Sequence, residues 1–360
     1  MARDQAKVVV VGAGIIGAAI AFHLAGRGAA VTVVERAKPA GEASGRSFAW
    51  INASFDNPKH YYDLRIQSLL EYPQLDRALG GTLGIKWSGA LLWDIEGEAL
   101  TDAVARHRAW GYPVWLLERD EIGAMEPNLK DPPPHAAYAP YEASLEPVAA
   151  TEALLAGAAD LGVTISNDCA VETLITRNNR AVGVETAQGA IEADTVVLAA
   201  GVATEVLVKT AGAALPMNSS PGLLIHTKPV APLVQRMLLT PDLHMKQDPD
   251  GRIVAAEDFG GGTGEQDPDA TAASLMADLA RLLSGGADLE LERVTVGWRP
   301  IPKDGFPAVG PTPEIDGLYV AVMHSGVTLA PIVGRLAAEE ILTGMRTDLL
   351  APFRPSRFVT

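Results

Sequence analysis

The sequence predicts an α/β protein in which a Rossmann-like dinucleotide-binding domain is joined to a second α+β domain built on a mixed sheet. Three observations predict it. Residues 8–36 read as strand, glycine turn, helix and strand; buried strands recur far along the chain at 193–201 and 317–322; and the segments between carry hairpin and helix patterns of their own.

In the opening unit, the β-branched run Val8 to Val11 makes a strand, Gly12-Ala13-Gly14-Ile15-Ile16-Gly17 the turn, Ala18 to Arg27 a helix, and Ala30 to Val34 the next strand. Gly12 permits the tight turn, Gly14 lets a pyrophosphate approach the backbone, and Gly17 lets the helix pack close to the strand. The helix N-terminus offers N–H groups and partial positive charge to phosphates. Glu35, closing the second strand, is placed to accept hydrogen bonds from a ribose. The motif leaves NAD and FAD both open.

Composition narrows the partners. The 360 residues carry a net charge of −15, which argues against nucleic acid and anionic membrane surfaces. One cysteine, Cys169, excludes an internal disulfide and fits a reducing compartment. A polar Met1 to Lys7 directly before the first strand predicts no cleavable leader, and charged residues and glycines break every candidate membrane span. A cytoplasmic protein without a metal site is expected, with oligomeric state left open.

After Arg36 comes AKPAGEASGRSFAWIN, a small-residue loop against which a ligand can lie, with Ser44, Arg46 and Ser47 as phosphate donors. Tyr61 to Leu79 has helical spacing, with Pro73 expected to kink or divide it. Ile85 to Trp93 and Val114 to Leu117 read as strands, Glu98 to Trp110 as a helix, and Pro132 to Pro134 as irregular. Pro147 to Leu161 is a helix leading into Gly162 to Ile165; Ala170 to Ile175 and Ala181 to Thr186 form a hairpin; and Ala193 to Gly201 is a strand expected to rejoin the first sheet.

Strand candidates follow at Gly222 to Thr227, Leu243 to Gln247 and Arg252 to Glu257, with Asp248 to Gly251 as a hairpin turn and Ala270 to Leu283 as a helix. His244 and Lys246 are two apart on one strand and share a face, which looks either into a cleft or out to solvent. Last, Gly317 to Val322 makes a strand running through His324-Ser325-Gly326 into a helix ending at Thr343, whose N-terminus can stabilise a reduced, anionic ring. The first domain is read as 1–60, 146–212 and 296–360, and the second as 61–145 and 213–295.

Taken together, VVVVGAGIIGAAIAFHLAGRGAAVTVVER, GEASGRSFAW, EASLEPVAATEALLAGAADLGV, ADTVVLAAG, DPDGRIVAA and GWRPIPKDGFPAVGPTPEIDGLYVAVMHSGVTLAP resemble, in order, the D-amino-acid oxidase, glycine oxidase and sarcosine oxidase superfamily of FAD-dependent amine oxidoreductases. The resemblance implies FAD on a glutathione-reductase-like domain, with the flavin ring between the two domains. It places Gly12, Gly14, Ile15, Ile16 and Gly17 on the pyrophosphate, Glu35 by the adenosine ribose, Arg36 among the cofactor-binding residues, and Ser44, Arg46 and Ser47 along the phosphate or ring-side loop. Val171 then meets adenine, Ala200 and Gly201 pass beside the cofactor, and Ser325, Gly326, Val327, Thr328 and Leu329 meet the pyrimidine end of the flavin.

Arg299 stands where the glycine-oxidase-like branch clamps a substrate carboxylate, an assignment that competes with a structural salt bridge. His244 falls where relatives carry an active-site tyrosine, Lys246 is a candidate positive group for oxygen, and His324 is a further catalytic candidate. No cysteine lies near Trp298 to Ile301 and no histidine in GEASGRSFAW, so the FAD is expected to be non-covalent. Relatives carry a longer segment with an additional arginine where this chain has only His324-Ser325-Gly326. The implied activity is oxidation of the C–N bond of an amino acid or secondary amine by hydride transfer to flavin, with hydrolysis of the imine and oxygen as acceptor. A dehydrogenase of an amine or 2-hydroxy acid that passes electrons to a quinone or carrier, and a non-catalytic flavin-binding subunit, are the alternatives.

Overall fold

The opening strand Lys7–Val11 is the centre of the first sheet: its β-branched residues are buried, and it pairs in parallel with Ala30–Val34 on one side and Thr195–Leu198 on the other. A computed structural model describes residues 5–54, 57–257 and 267–359. The six strands run Ala308–Pro311, Leu318–Val322, Thr195–Leu198, Lys7–Val11, Ala30–Val34, Thr164–Ser166. All neighbours are parallel except Ala308–Pro311, which runs against Leu318–Val322. Strands buried on both faces read as continuous apolar runs, as Val8 to Val11 and Leu318–Val322 do. The strand at 195–198 therefore rejoins the opening unit across a long excursion of chain.

The second large sheet has eight strands, in the order Leu291–Arg299, Ser220–Thr227, Ile253–Ala256, His244–Gln247, Met237–Leu239, Ala90–Leu92, His135–Ala139, Trp115–Glu118. It is mixed: Met237–Leu239 runs parallel to Ala90–Leu92, whereas its other pairings are antiparallel. Its outer face packs on Pro268–Leu282 through Leu275 and Leu279, in a core with Ile225, Met245 and Ala255. The Asp248 to Gly251 turn closes by an Asp248 N–H bond to the Arg252 carbonyl at 2.9 Å, with Gly251 at φ 90.

Several elements differ from their sequence reading. The first helix is Ile15–Ala25, starting three residues before Ala18, because the chain leaves Gly14 directly into helical geometry. Pro73 neither divides nor ends its helix, which runs unbroken over Lys59–Ala78. The turn before the proline is pinned to the Gly326–Thr343 helix: Tyr72 donates to the Val327 carbonyl, and Arg335 holds Glu71 at 2.6 Å. Those contacts offset the backbone hydrogen bond that proline removes. The strand expected over Ile85 to Trp93 shortens to Ala90–Leu92. The 171–186 hairpin gains a third strand, Gly189–Glu192, and a helix at Arg119–Met125 and a strand at His135–Ala139 were not anticipated. Residues 1–4 of the expected leaderless start lie outside the described residues. Among the described residues no helix is long and apolar enough to cross a membrane, and no cluster of three or more His, Cys, Asp or Glu forms a metal site.

Candidate active site

Two adjoining cavities dominate the face where the first sheet's strands end. The first, of about 650 Å³, is a groove lined by Gly12, Gly14, Ile15, Ile16, Glu35, Arg36, Ser44, Ser47, Val171, Ala200 and Gly201. Its floor requires glycine. Gly12 has φ 105, and a Cβ there would lie 2.6 Å from the Ala199 carbonyl oxygen; a Cβ on Gly17 would lie 2.0 Å from the Gly12 oxygen. Gly17 thus serves close packing behind the groove and does not line it. Ser44 Oγ accepts the Ile15 N–H at 3.0 Å, tying the small-residue loop to the helix start.

Glu35 sits across the groove with Oε2 accepting the Ala13 N–H at 2.9 Å and Oε1 accepting Ala37 N–H at 3.1 Å. A carboxylate has about four lone-pair positions, so both oxygens keep capacity for ribose hydroxyls. Arg36 is paired with Glu42 at 2.5 Å. A bare glycine turn, a helix N-terminus and a held carboxylate fit a dinucleotide.

The second cavity, of about 580 Å³, shares Ser47, Trp298, Pro300, His324 and Val327 with the groove, so the two are continuous. Its far wall is the eight-stranded sheet, which contributes Leu224, Leu239, His244, Ala256, Gly297 and Arg299. Arg299 ends the Leu291–Arg299 strand, opposite Ser220. Its guanidinium lies directly on Gly222: a Cβ there would be 2.8 Å from one Nη and 2.9 Å from Nε. Only glycine lets the planar group rest against the strand and face the cavity. The neighbouring Gly297 leaves room for Arg46, whose Nη1 donates to the Val296 carbonyl at 3.1 Å and joins the loop to the sheet.

His244 and Lys246 are both buried, so their shared face does not look out to solvent, yet they part company. His244 lines the cavity. Lys246 does not, its Nζ donating to the Leu145 carbonyl at 2.9 Å, pairing with Asp248 at 2.8 Å and lying 5.8 Å from the Phe48 ring centre. The Asp248 carboxylate offsets its charge. Ser325 and Thr328 line the second cavity and Gly326 the groove, whereas Leu329 points into the core.

Residues not singled out from sequence complete the site. Arg65, Asn52 and Tyr61 line the second cavity. Arg65 falls on the face of its helix that also buries Tyr61, Leu64, Ser68 and Leu69, and a charge at helical spacing on an otherwise buried face was the available signal. Behind them, buried Glu142 accepts from Trp50 Nε1 at 2.8 Å, the Ala53 and Ser54 N–H groups at 3.2 and 2.9 Å, and the Tyr112 hydroxyl at 3.1 Å. Burial leaves its pKa raised although the bonds from Ser54, Tyr112 and Ala53 pull it down, and three of the four bonds fix the 50–54 segment that walls the cavity while the fourth ties Glu142 to Tyr112.

Three histidines are held neutral. His23, His226 and His324 are each pushed from 6.5 down to about 4, in every case first by burial and then by nearby cations, which for His324 are Arg299 and Arg65. An unfolded histidine takes up its proton near about 6.5, so below that pH the unfolded chain binds more protons than the native one. Stability present above pH 6.5 is therefore lost as pH falls through the window down to about 4. Thermal melting followed from pH 7.5 to 4.5 should show Tm falling across that window, and a flat Tm would contradict the histidine assignments.

The comparisons agree with this geometry. A family model described as FAD dependent oxidoreductase matches residues 7–340. A glycine oxidase of Pseudomonas putida is 30% identical over 372 residues, covering 97% of this chain and 98% of that protein. The crystal structure of glycine oxidase from Geobacillus kaustophilus superposes with a TM-score of 0.87 at 26% identity, over 99% of this chain and 100% of that one. An L-proline dehydrogenase from P. horikoshii shares the fold, with a TM-score of 0.88 at 23% identity over 98% of each chain.

Proposed function

Because the chain belongs to the FAD-dependent oxidoreductase family, and specifically to its amino-acid and amine-oxidising type, we propose that it oxidises the C–N bond of a substrate whose carboxylate is clamped by Arg299. The observation that carries this reading is the Arg299 guanidinium laid on Gly222, inside a cavity continuous with the dinucleotide groove. FAD, when bound non-covalently, supplies the two-electron acceptor at its N5.

The residues supply position and field. A planar guanidinium grips a carboxylate through two charge-assisted hydrogen bonds, which fixes the substrate Cα–H toward the ring. The positive charges of Arg299 and Arg65 lower the pKa of a bound ammonium and favour the neutral amine, the form that can give up hydride. His324, held neutral beside them, adds no competing charge. Loss of hydride from carbon and a proton from nitrogen leaves a C=N bond. Water then adds to the imine, and ammonia or an amine departs to leave a carbonyl compound. Oxygen would be the electron acceptor of the bound FAD, with hydrogen peroxide as its product.

The acceptor is tested by admitting air to enzyme bleached anaerobically with its amine. Rapid return of colour with stoichiometric peroxide is the expected result. Colour that returns only when a quinone is added would replace the oxidase with a dehydrogenase.

A further inference from the structure

Among the described residues two cations are buried, Lys246 and Arg65, and they are treated differently. Lys246 has Asp248 at 2.8 Å. Arg65 has only neutral acceptors: its Nε donates to the Asn52 carbonyl at 3.1 Å, one Nη to the Tyr61 hydroxyl at 3.2 Å and Ser325 Oγ at 2.7 Å, and the other Nη to Asn52 Oδ1. The guanidinium also lies 5.1 Å from the Tyr61 ring centre. No carboxylate among the described residues pairs with it. Arginine keeps its proton in a protein, and a buried charge without a counter-charge is costly. Neutral oxygens solvate this cation, and no carboxylate neutralises it by direct contact.

Its position says where the missing anion belongs. Arg65 lines the second cavity, and its partner Ser325 precedes the Gly326–Thr343 helix as its N-cap. The residues on either side of Ser325, His324 and Gly326, line the dinucleotide groove. A ring entering the cavity from the groove therefore passes the positive end of that helix and the Arg65 guanidinium together. The field of Arg65 reaches this junction, since it helps hold His324 neutral. Asn52, bridging Arg65 and Thr328, keeps the guanidinium from swinging away.

We propose that Arg65 is the counter-charge for the negative charge that the FAD ring acquires on reduction, and that it thereby sets the cofactor's reduction potential. Accepting a hydride adds one negative charge to the ring, and the cation that no carboxylate neutralises by direct contact then gains its partner. Reduction is favoured by that gain. The inference rests on FAD binding alone and stands apart from the identity of the amine.

The test uses purified holoenzyme and Arg65→Met and Arg65→Lys variants, with FAD content and the visible spectrum as controls. The midpoint potential is read by dye-equilibrated anaerobic reduction, and the dissociation constant for sulfite, an anion that bleaches oxidised flavin by adding to it, is measured by titration. Arg65→Met should weaken sulfite binding at least tenfold and lower the potential by about 30 mV or more, the equivalent of a tenfold change for a two-electron couple, while Arg65→Lys recovers most of both. Should the methionine variant lose FAD, Arg65→Gln, which removes the charge but keeps hydrogen-bonding capacity, takes its place with the same expectation. A neutral variant that holds FAD with both constants unchanged overturns the proposal. So does one that only weakens binding of an amine bearing a second carboxylate, because Arg65 would then serve the substrate. If no amine reduces the wild type but the potential shifts as stated, the amine reading fails and this one stands.

Discussion

Gly14→Val should give a folded protein that purifies without yellow colour. Gly14 has φ −76 and ψ 173, values open to any residue, and an added Cβ would meet only Ser44 Oγ at 3.0 Å. The backbone therefore tolerates the change, and the branched methyls occupy the groove where the pyrophosphate must approach. Close backbone approach is the one thing this glycine supplies that valine cannot. Circular dichroism should match the wild type while bound FAD is lost. A variant with full flavin content would sink the pyrophosphate assignment. Gly17→Val would be a poor substitute, because its Cβ would lie 2.0 Å from the Gly12 oxygen and the fold itself would give way.

Arg299→Leu should keep its FAD and lose its grip on substrate. Arg299 lines the second cavity but not the dinucleotide groove, so the FAD content should be unchanged. Two hydrogen bonds to a charged group contribute together about 3–6 kcal/mol, and each 1.4 kcal/mol is a factor of about ten. The loss in kcat/KM for a carboxylate-bearing amine should thus be roughly 100- to 10,000-fold, and most of it should appear in KM. An amine without a carboxylate should be affected far less. Equal losses for both kinds of amine, or no loss at all, would show that the guanidinium is only a structural partner of the strand carrying Gly222.

The parts of this molecule legible in sequence are those whose constraint is local. The turn at Gly12, Gly14 and Gly17 is written in consecutive residues because strand, turn and helix must meet within a few ångströms of each other, and FAD dependence followed from that turn joined to motifs along nearly the whole chain. The central strands at 8–11, 30–34, 195–198 and 318–322 were legible as apolar runs, whereas the edge strand Ala308–Pro311, which carries a glycine and a proline, was not read as a strand.

What could not be read depends on pairings across long stretches of chain. Arg65 matters through Ser325, 260 residues away, and Glu142 through Trp50 and Tyr112; neither acid nor base carries a local mark of its partners. Alternation put His244 and Lys246 on one face, but it has no term for the Leu145 carbonyl and Asp248, which take up the Lys246 ammonium while His244 lines the cavity. Pro73 does not divide its helix, because Tyr72 and Glu71 dock the preceding turn on a helix from the far end of the sequence.

The most direct measurement is the visible spectrum of the purified holoenzyme mixed anaerobically with amino acids of both configurations, N-methylated amino acids and 2-hydroxy acids. Bleaching of the flavin by a carboxylate-bearing amine, with the imine's carbonyl product recovered in equal amount, is the predicted result. A flavin that is bleached by 2-hydroxy acids and by no amine, or that no member of the panel reduces although dithionite does, would contradict the assignment of C–N oxidation to this site.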